Sequence, residues 1–214
     1  MTPFLLILSA PSGGGKTTIA KALLAARDDL GYSISATTRA PRSEERDGVD
    51  YFFIDDAAFD RRVAADEFIE WAEYGANRYG TLKSEVDRLQ GMGQHVVLDI
   101  EVAGARQVRE RCQNVVSVFI IPPSAQALVQ RLGGRDTERH VDVIRRLSRA
   151  IEELREAPSY DYVVVNADKT EAVSQVATIL DAEARRPARS AELTETLQTL
   201  GADLATHIAH MGGE

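Results

Sequence analysis

The chain has 214 residues, of which 44% are hydrophobic, and its formal net charge is −8. This length allows one sizeable core with insertions and is short for two independent domains. The acidic balance argues against broad binding to nucleic acid or to an anionic membrane, since both repel an acidic protein. Cys112 is the single cysteine, so no internal disulfide can form, and nothing in the sequence resembles a C-x-x-C motif or a zinc-ligand spacing. The apolar run near the start is too short to span a bilayer, and we expect a cytoplasmic protein.

Alternating apolar runs and helical patterns predict an α/β protein with a parallel sheet. Runs rich in β-branched residues indicate strands that are buried on both faces. These runs occupy residues 4–8, 95–100, 115–121 and 162–165. Apolar residues at helical spacing occupy 17–26 and 141–154.

Two intervals interrupt this alternation. Residues 32–93 combine turn signals with a short aromatic strand pattern, and we interpret them as an inserted β-rich lobe. Residues 124–146 are dense in Arg, Gly and Asp, which is typical of a mobile lid. The prediction is therefore one domain over residues 1–184, with a helical tail over 185–214. Its core comprises 1–31, 94–123 and 147–184.

The tail contains an apolar stripe at helical spacing, which predicts an amphipathic helix. Its members are Leu193, Leu197, Leu200, Leu204 and Ile208. We expect this face to pack on the protein's own core rather than on a partner helix.

A glycine-rich loop joins the first predicted strand to the first predicted helix. It reads Ala10, Pro11, Ser12, Gly13, Gly14, Gly15, Lys16, Thr17 and Thr18. Glycines allow the positive φ angles that turn backbone N–H groups inward, and the helix start adds a partial positive charge. Lys16 can then reach the β- and γ-phosphates of a nucleoside triphosphate, while the Thr17 hydroxyl can bind a bridging Mg²⁺. A plain glycine turn would need neither residue.

A second anion site is indicated by a short arginine-containing turn. Arg39 and Arg42 flank a proline, and Tyr51 follows on a predicted strand. Two guanidinium groups and a phenol can hold one phosphate monoester. The same residues could equally form a solvated basic loop, and this motif alone does not separate the two interpretations.

A carboxylate and a hydroxyl lie close together further along, at Glu70 and Thr81, with Tyr79 beside them. Guanine presents two N–H donors next to an acceptor oxygen, so a carboxylate and a hydroxyl suit it. Adenine would leave the carboxylate unpaired, which disfavours it strongly in a buried site. The alternative is that neighbouring aromatic residues form core and Glu70 is merely an exposed neighbour.

Several motifs in order make the chain resemble a guanylate kinase over about residues 4–168. They are Ser-Ala-Pro-Ser-Gly-x-Gly-Lys-Thr at 9–17, Thr-Thr-Arg-x-Pro-Arg at 37–42, Gly-Val-Asp-Tyr-x-Phe at 48–53, Phe-Ile-Glu-Trp-Ala at 68–72 and Tyr-Gly-Thr at 79–81. The resemblance implies a P-loop sheet core, a GMP-binding lobe at 32–93 and an arginine-rich lid at 124–146. It also implies transfer of the γ-phosphoryl group of ATP to GMP, with Mg²⁺.

The resemblance further implies roles for individual residues. The GMP phosphate would be held by Arg39, Arg42, Tyr51 and Tyr79, and guanine would be read by Ser35, Glu70 and Thr81. Glu45, Asp99 and Glu101 would line the same site, with Asp99 orienting water around Mg²⁺ or the acceptor phosphate. Arg131, Arg135 and Arg146 would close on the triphosphate, and Asn166 would lie near adenine. The catalytic set would be Lys16, Arg39, Asp99, Arg135 and Arg146.

Two departures and two rival functions accompany this resemblance. Glu101 stands where relatives often have Asp, and Ala103 replaces a frequent Gln. One rival is a non-catalytic guanylate-kinase-like module that binds a phosphorylated peptide, but such a module would be expected to lose Lys16 and the lid arginines. The other is a kinase for a different phosphorylated small molecule. The sequence leaves the choice between monomer and homo-oligomer open.

Overall fold

The computed structural model describes residues 2–133 and 140–211. Its strands are β1 (Leu5–Ser9), β2 (Leu30–Tyr32), β3 (Ala36–Thr37), β4 (Phe52–Phe53), β5 (Phe68–Tyr74), β6 (Asn77–Leu82), β7 (His95–Asp99), β8 (Val115–Ile121) and β9 (Tyr162–Val165). Its helices are α1 (Lys16–Ala26), α2 (Asp56–Ala64), α3 (Lys83–Gly91), α4 (Val102–Arg111), α5 (Ala125–Gly133), α6 (His140–Arg155), α7 (Lys169–Ala184) and α8 (Ala191–Met211).

The core is a five-stranded parallel sheet in the order β2-β7-β1-β8-β9. β1 lies at its centre, with Leu5 in register with Val96 on one side and Val115 on the other. All five residues of β1 are buried, because helices cover both faces of a parallel sheet. The α/β class and the parallel core predicted from the sequence are confirmed.

The two faces of β1 belong to different apolar clusters, since side chains alternate along a strand. Leu6 and Leu8 pack with α1 and α7, whereas Leu5 and Ile7 pack with α3 and α4. The sheet thus holds the carboxyl ends of its strands at one rigid edge. The glycine loop follows β1 at that edge, and Asp99 ends β7 beside it.

The edge strand β2 was not predicted as a strand, although the predicted core segment 1–31 includes its first two residues. It is only three residues long and includes Gly31, so no β-branched run marks it. The alternation that we interpreted as lobe structure from residue 32 onward begins in this strand, because Tyr32 pairs with Val97 of the core.

A second sheet of four strands, in the order β4-β3-β6-β5, follows β2 in the chain. β5 and β6 form an antiparallel hairpin that turns at Gly75, which adopts a φ of 67°. Phe59 of α2 stacks on Phe68 of β5 beneath this sheet, with a centroid distance of 4.6 Å. α3 leaves the lobe and packs its buried face against the core sheet.

The tail forms the predicted helix, but the expectation that it packs on the core is wrong. Leu197, Leu200 and Leu204 are each more than half exposed, and Ile208 is 70% exposed. The chain is anchored just before α8 instead, where Arg189 is buried against Glu183. Among the described residues, no helix combines the length and apolar character needed to cross a bilayer.

Candidate active site

Two cavities adjoin at the carboxyl edge of the core sheet. The first, of about 720 Å³, runs along the glycine loop and reaches Arg131, Arg146 and Asn166. The second, of about 240 Å³, lies between the core and the second sheet. The side chains that line both cavities are Lys16, Thr17, Tyr74 and Glu101. Two ligands bound there would meet at the lysine and threonine of the loop.

The glycine loop has the shape of an anion cradle. Gly13 and Gly15 adopt φ angles of 84° and 96°, in the left-handed region that favours glycine. The N–H of Gly14 donates to the Pro11 carbonyl at 2.7 Å, which closes the turn before α1 begins. Ala10 is buried beneath the loop, and a Cβ on Gly14 would lie 2.7 Å from that of Ala10. Residues 11–18 line the first cavity, whereas Ala10 supports them from below.

Lys16 lies in a pocket of negative charge. Its Nζ is 2.8 Å from Glu101 Oε1 and 3.4 Å from Asp99 Oδ1. Burial lowers the pKa of Lys16, but the two carboxylates outweigh burial and the net pKa is above its ordinary value. The lysine is therefore a permanent cation at the junction of the cavities.

Thr17 and Asp99 present oxygen atoms side by side. The Thr17 hydroxyl donates to Asp99 Oδ2 at 2.6 Å. The other carboxylate oxygen, Asp99 Oδ1, is buried and, apart from the 3.4 Å ion pair with Lys16, has no hydrogen-bond donor among the described residues. Hydroxyl and carboxylate oxygens are hard ligands that suit Mg²⁺, which usually keeps only one or two protein ligands and shares the rest with phosphates and water. The donor set at this position therefore fits Mg²⁺ that is bound together with a nucleotide.

The far wall of the first cavity is fixed by contacts to the glycine loop. Asn166 Nδ2 donates to the Gly14 carbonyl at 2.9 Å, and Arg131 donates to the carbonyl of Asn166 at 2.9 Å. Arg146 Nε donates to Ser12 Oγ at 3.3 Å. These three predicted residues are thus brought to the loop. Arg135 lies outside the described residues.

The second cavity contains a buried acid. Glu70 is 4% exposed, and the Thr81 hydroxyl donates to its Oε1 at 2.7 Å. The two residues are paired across the hairpin of β5 and β6. Burial raises the pKa of Glu70 to about 7, against the smaller opposing effect of Thr81. The alternative that Glu70 is an exposed neighbour of core residues is therefore wrong.

The residues predicted to hold a phosphate monoester lie at the mouth of this cavity. Tyr51 and Tyr79 line it, with ring centroids 6.0 Å apart, and Arg39 Cζ lies 5.4 Å from the Tyr51 ring. Glu45 holds Arg39 through a 2.8 Å ion pair. The side chain of Arg42 is 75% exposed, with Nη1 3.8 Å from Glu45 Oε1, and its backbone N–H also donates to Glu45. The remaining predicted residue, Ser35, lines the cavity wall.

Sequence reasoning missed several residues of the site, including four polar side chains. Tyr32 and Tyr74 line the second cavity, as does Arg149 of α6, while Glu153 of α6 accepts a hydrogen bond from the Ser12 N–H of the glycine loop. The helical signal could have found the last two, because Arg146, Arg149 and Glu153 recur at spacings of three and four and so share one face. They were overlooked because the segment was interpreted from its apolar residues at helical spacing.

A loop that cradles anions before a helix, with a lysine, a hydroxyl and a carboxylate around it, defines a P-loop nucleotide-binding protein. A sequence model described as guanylate kinase matches residues 3–183, which is most of the chain. The chain therefore belongs to the guanylate kinase family.

Individual relatives agree with the family match. A guanylate kinase of Symbiobacterium thermophilum is 48% identical over 199 residues, covering 92% of this chain and 94% of the relative. A guanylate kinase of Carboxydothermus hydrogenoformans is 43% identical, with 86% and 91% covered. Among solved structures, guanylate kinase from Anaplasma phagocytophilum superposes with a TM-score of 0.75 at 34% identity, covering 92% of this chain and 95% of that one.

Proposed function

We propose that this protein transfers the γ-phosphoryl group of ATP to GMP, giving ADP and GDP. The observation that carries the proposal is the buried carboxylate of Glu70, which accepts a hydrogen bond from Thr81 and lines a cavity that also reaches Lys16 of the glycine loop. A cavity with a buried carboxylate selects guanine, and the adjoining cavity along the glycine loop selects a nucleoside triphosphate.

The acceptor base is read by charge and by hydrogen-bond polarity. Glu70, once anionic, accepts hydrogen bonds from the N1–H and N2–H₂ donors of guanine. In the present geometry the Thr81 hydroxyl donates a hydrogen bond to Glu70 and so orients the carboxylate. Ser35 lines the same cavity and is better placed to serve the guanine O6 acceptor. This division of roles refines the expectation that Thr81 contacts the base directly.

The acceptor phosphate is held at the cavity mouth. Tyr51 and Tyr79 supply phenol groups there, and Arg39 supplies a guanidinium that Glu45 keeps in place. Arg42 is exposed and can join this group by rotating its side chain. Because two polyanions must approach each other for phosphoryl transfer, cations that neutralise both of them contribute most of the catalysis.

The donor triphosphate is held by the glycine loop and by the arginines that contact it. Lys16 neutralises the phosphate oxygens at the junction of the cavities, with Arg131 and Arg146 on the opposite wall. Arg135 completes the proposed set. Thr17 and Asp99 would hold Mg²⁺, which stabilises developing negative charge on the phosphates when it is bound. No protein nucleophile is needed for direct transfer between the two nucleotides.

The physiological setting follows from the same chemistry. The ligands are the small nucleotides ATP and GMP, and dGMP fits the same base-reading residues. We further propose a cytoplasmic enzyme of purine nucleotide metabolism. Nucleic acid and membranes are not expected partners of a chain with a net charge of −8.

Steady-state phosphorylation of GMP by ATP and Mg²⁺, with AMP and UMP as alternative acceptors, tests this proposal. Of the three acceptors, we expect only GMP to be phosphorylated. Turnover should be lost in Lys16→Ala, and the KM for GMP should rise greatly in Glu70→Gln. Turnover of a different monophosphate would support the rival kinase. Binding of a phosphorylated peptide without any turnover would support the non-catalytic module.

A further inference from the structure

One arginine of α6 links the two cavities and has no role in the chemistry above. Arg149 Nε donates to Glu153 Oε1 at 3.0 Å, and its Cζ lies 4.1 Å from the centre of the Tyr74 ring. The other carboxylate oxygen of Glu153 accepts a 2.9 Å hydrogen bond from the backbone N–H of Ser12. Contacts therefore run without a break from the glycine loop, through α6, to the end of β5.

The same line of contacts continues across the lobe to the acceptor site. The Tyr74 ring meets the edge of Tyr79, with centroids 6.4 Å apart, and Tyr79 meets Tyr51 in the same manner at 6.0 Å. Tyr51 in turn lies under Arg39, which is proposed to hold the acceptor phosphate. Arg149 thus joins α6 to a series of tyrosines in edge-to-face contact in the lobe, which begins at Tyr74 and ends at Tyr51.

The burial and charge of these groups make the contact sensitive to Arg149. Glu153 is 6% exposed, and burial raises its pKa, while the Ser12 N–H and Arg149 favour the charged carboxylate. Arg149 itself is partly exposed and lines the acceptor cavity. A guanidinium stacked on an aromatic ring is attracted to it by the ring quadrupole, and removing the solvent strengthens that attraction.

We propose that Arg149 is a positioning residue that couples the two nucleotide sites. GMP that orders the lobe presses Tyr74 against Arg149, which in turn fixes Glu153 on the Ser12 amide and orders the donor loop. Binding of one nucleotide then favours binding of the other by the same factor in both directions. This inference deepens the proposed function and rests on it.

The test measures the affinity for a non-hydrolysable ATP analogue by calorimetry, without and with saturating GMP. The ratio of the two dissociation constants is the coupling factor. In Arg149→Met, which keeps the length of the stem but removes the charge, we expect the coupling factor to fall about three- to tenfold. Affinity for the analogue alone should change less. Arg155→Met is the matched control, since Arg155 is on the same helix, is 69% exposed and pairs with Glu152.

A second pair of variants keeps the test decisive if Arg149→Met folds poorly. Tyr74→Phe retains the ring and should retain coupling, whereas Tyr74→Leu should lose it to the same extent as Arg149→Met. The double variant Arg149→Met with Tyr74→Leu should be no worse than either single variant, because both remove one contact. An unchanged coupling factor in Arg149→Met, or losses that add in the double variant, would overturn the inference. Absence of GMP turnover in the parent protein would instead refute the proposed function.

Discussion

A Cβ atom added to Gly104 would lie 2.3 Å from Oε2 of Glu70. The buried carboxylate therefore occupies space that exists only because residue 104 in α4 has no side chain. α4 and β5 are held together so closely that the helix forms the wall behind the base-reading acid. The specificity of the acceptor site thus depends on a residue that carries no chemistry of its own.

Gly104→Ala is expected to displace Glu70 and weaken guanine recognition. Loss of one or two hydrogen bonds to the base should lower kcat/KM for GMP by about 10- to 100-fold. Affinity for ATP should change little. Gly91→Ala is the control, because a Cβ at that helical glycine meets nothing within 4 Å. Equal kinetics for Gly104→Ala and the parent would contradict this account.

The affinity for GMP is expected to depend on pH through Glu70. Its pKa is raised to about 7, so the carboxyl group is protonated below that pH and cannot accept both guanine donors. The dissociation constant for GMP should be level above pH 7 and rise about tenfold for each pH unit below it.

Calorimetric titrations between pH 5.5 and 8.5 would measure this dependence. The GMP phosphate also titrates in this range, so Glu70→Gln provides the comparison that isolates the carboxyl group. The variant should bind GMP weakly with a flatter profile. Profiles of the same slope in both proteins would assign the pH dependence to the phosphate instead.

Asp99→Asn should weaken the response to Mg²⁺. The substitution removes the charge beside Thr17 and replaces one carboxylate oxygen with an amide NH₂ group, which cannot bind a cation. We expect the Mg²⁺ concentration for half-maximal activity to rise about 10- to 100-fold, together with a lower kcat. Glu101→Gln, which alters the other partner of Lys16, should shift the Mg²⁺ response much less.

Arg189→Met should destabilise the folded protein without acting on the chemistry. Arg189 and Glu183 form a buried ion pair, and Tyr162 also donates to Glu183 at 2.5 Å. Loss of the guanidinium leaves the buried carboxylate of Glu183 with Tyr162 and the exposed Arg186 as its partners, so the unfolding free energy should fall by less than the roughly 3–5 kcal/mol of an uncompensated buried charge. Urea denaturation would measure it. Arg186→Met should be nearly neutral, since Arg186 is 63% exposed, and adding Glu183→Gln to Arg189→Met should restore part of the loss.

Removal of α8 should leave both stability and turnover close to those of the whole chain. The helix exposes its apolar stripe and lies outside the two core clusters. A chain that ends after Ser190 is therefore expected to match the parent in urea midpoint and in kcat. A chain that ends after Arg186 loses Arg189 as well and should be destabilised. A large loss of activity on removing α8 alone would show that the tail supports the site.

The core strands, the glycine loop and the Glu70–Thr81 pair could be predicted because each depends on residues that are close together in the sequence. Continuous apolar runs predicted four of the five core strands, because strands buried on both faces need apolar residues throughout. The prediction of burial on both faces is wrong for the edge strand β9, where Val163 and Val165 are 47% and 46% exposed. The glycine loop was evident from residue order alone. Glu70 and Thr81 could be assigned to one site because they lie close together in the sequence; the structure adds that the hairpin at Gly75 places them opposite each other.

Other features depend on contacts between distant segments, which the spacing of residues does not reveal. Ser12 and Glu153 are far apart in the chain, and only the packing of α6 against the loop brings them together. The exposure of Leu200 has the same origin, since an amphipathic pattern shows that a face is apolar but not what covers it. A strand as short as β2 forms because it pairs with β7, and its three residues are too few to show a hydrophobic pattern.

The two acidic partners of Lys16 also disfavour binding of a lone anion at the glycine loop. A lone phosphate or sulfate ion that enters the loop must compete with Asp99 and Glu101 for the ammonium group. A nucleotide that brings its own divalent cation offers those carboxylates a replacement positive charge, so the lysine can be released to the incoming ligand. Because Lys16 is already paired with two carboxylates, the loop should bind a triphosphate together with its metal ion in preference to a lone inorganic anion. Inhibition by inorganic anions should therefore be weak.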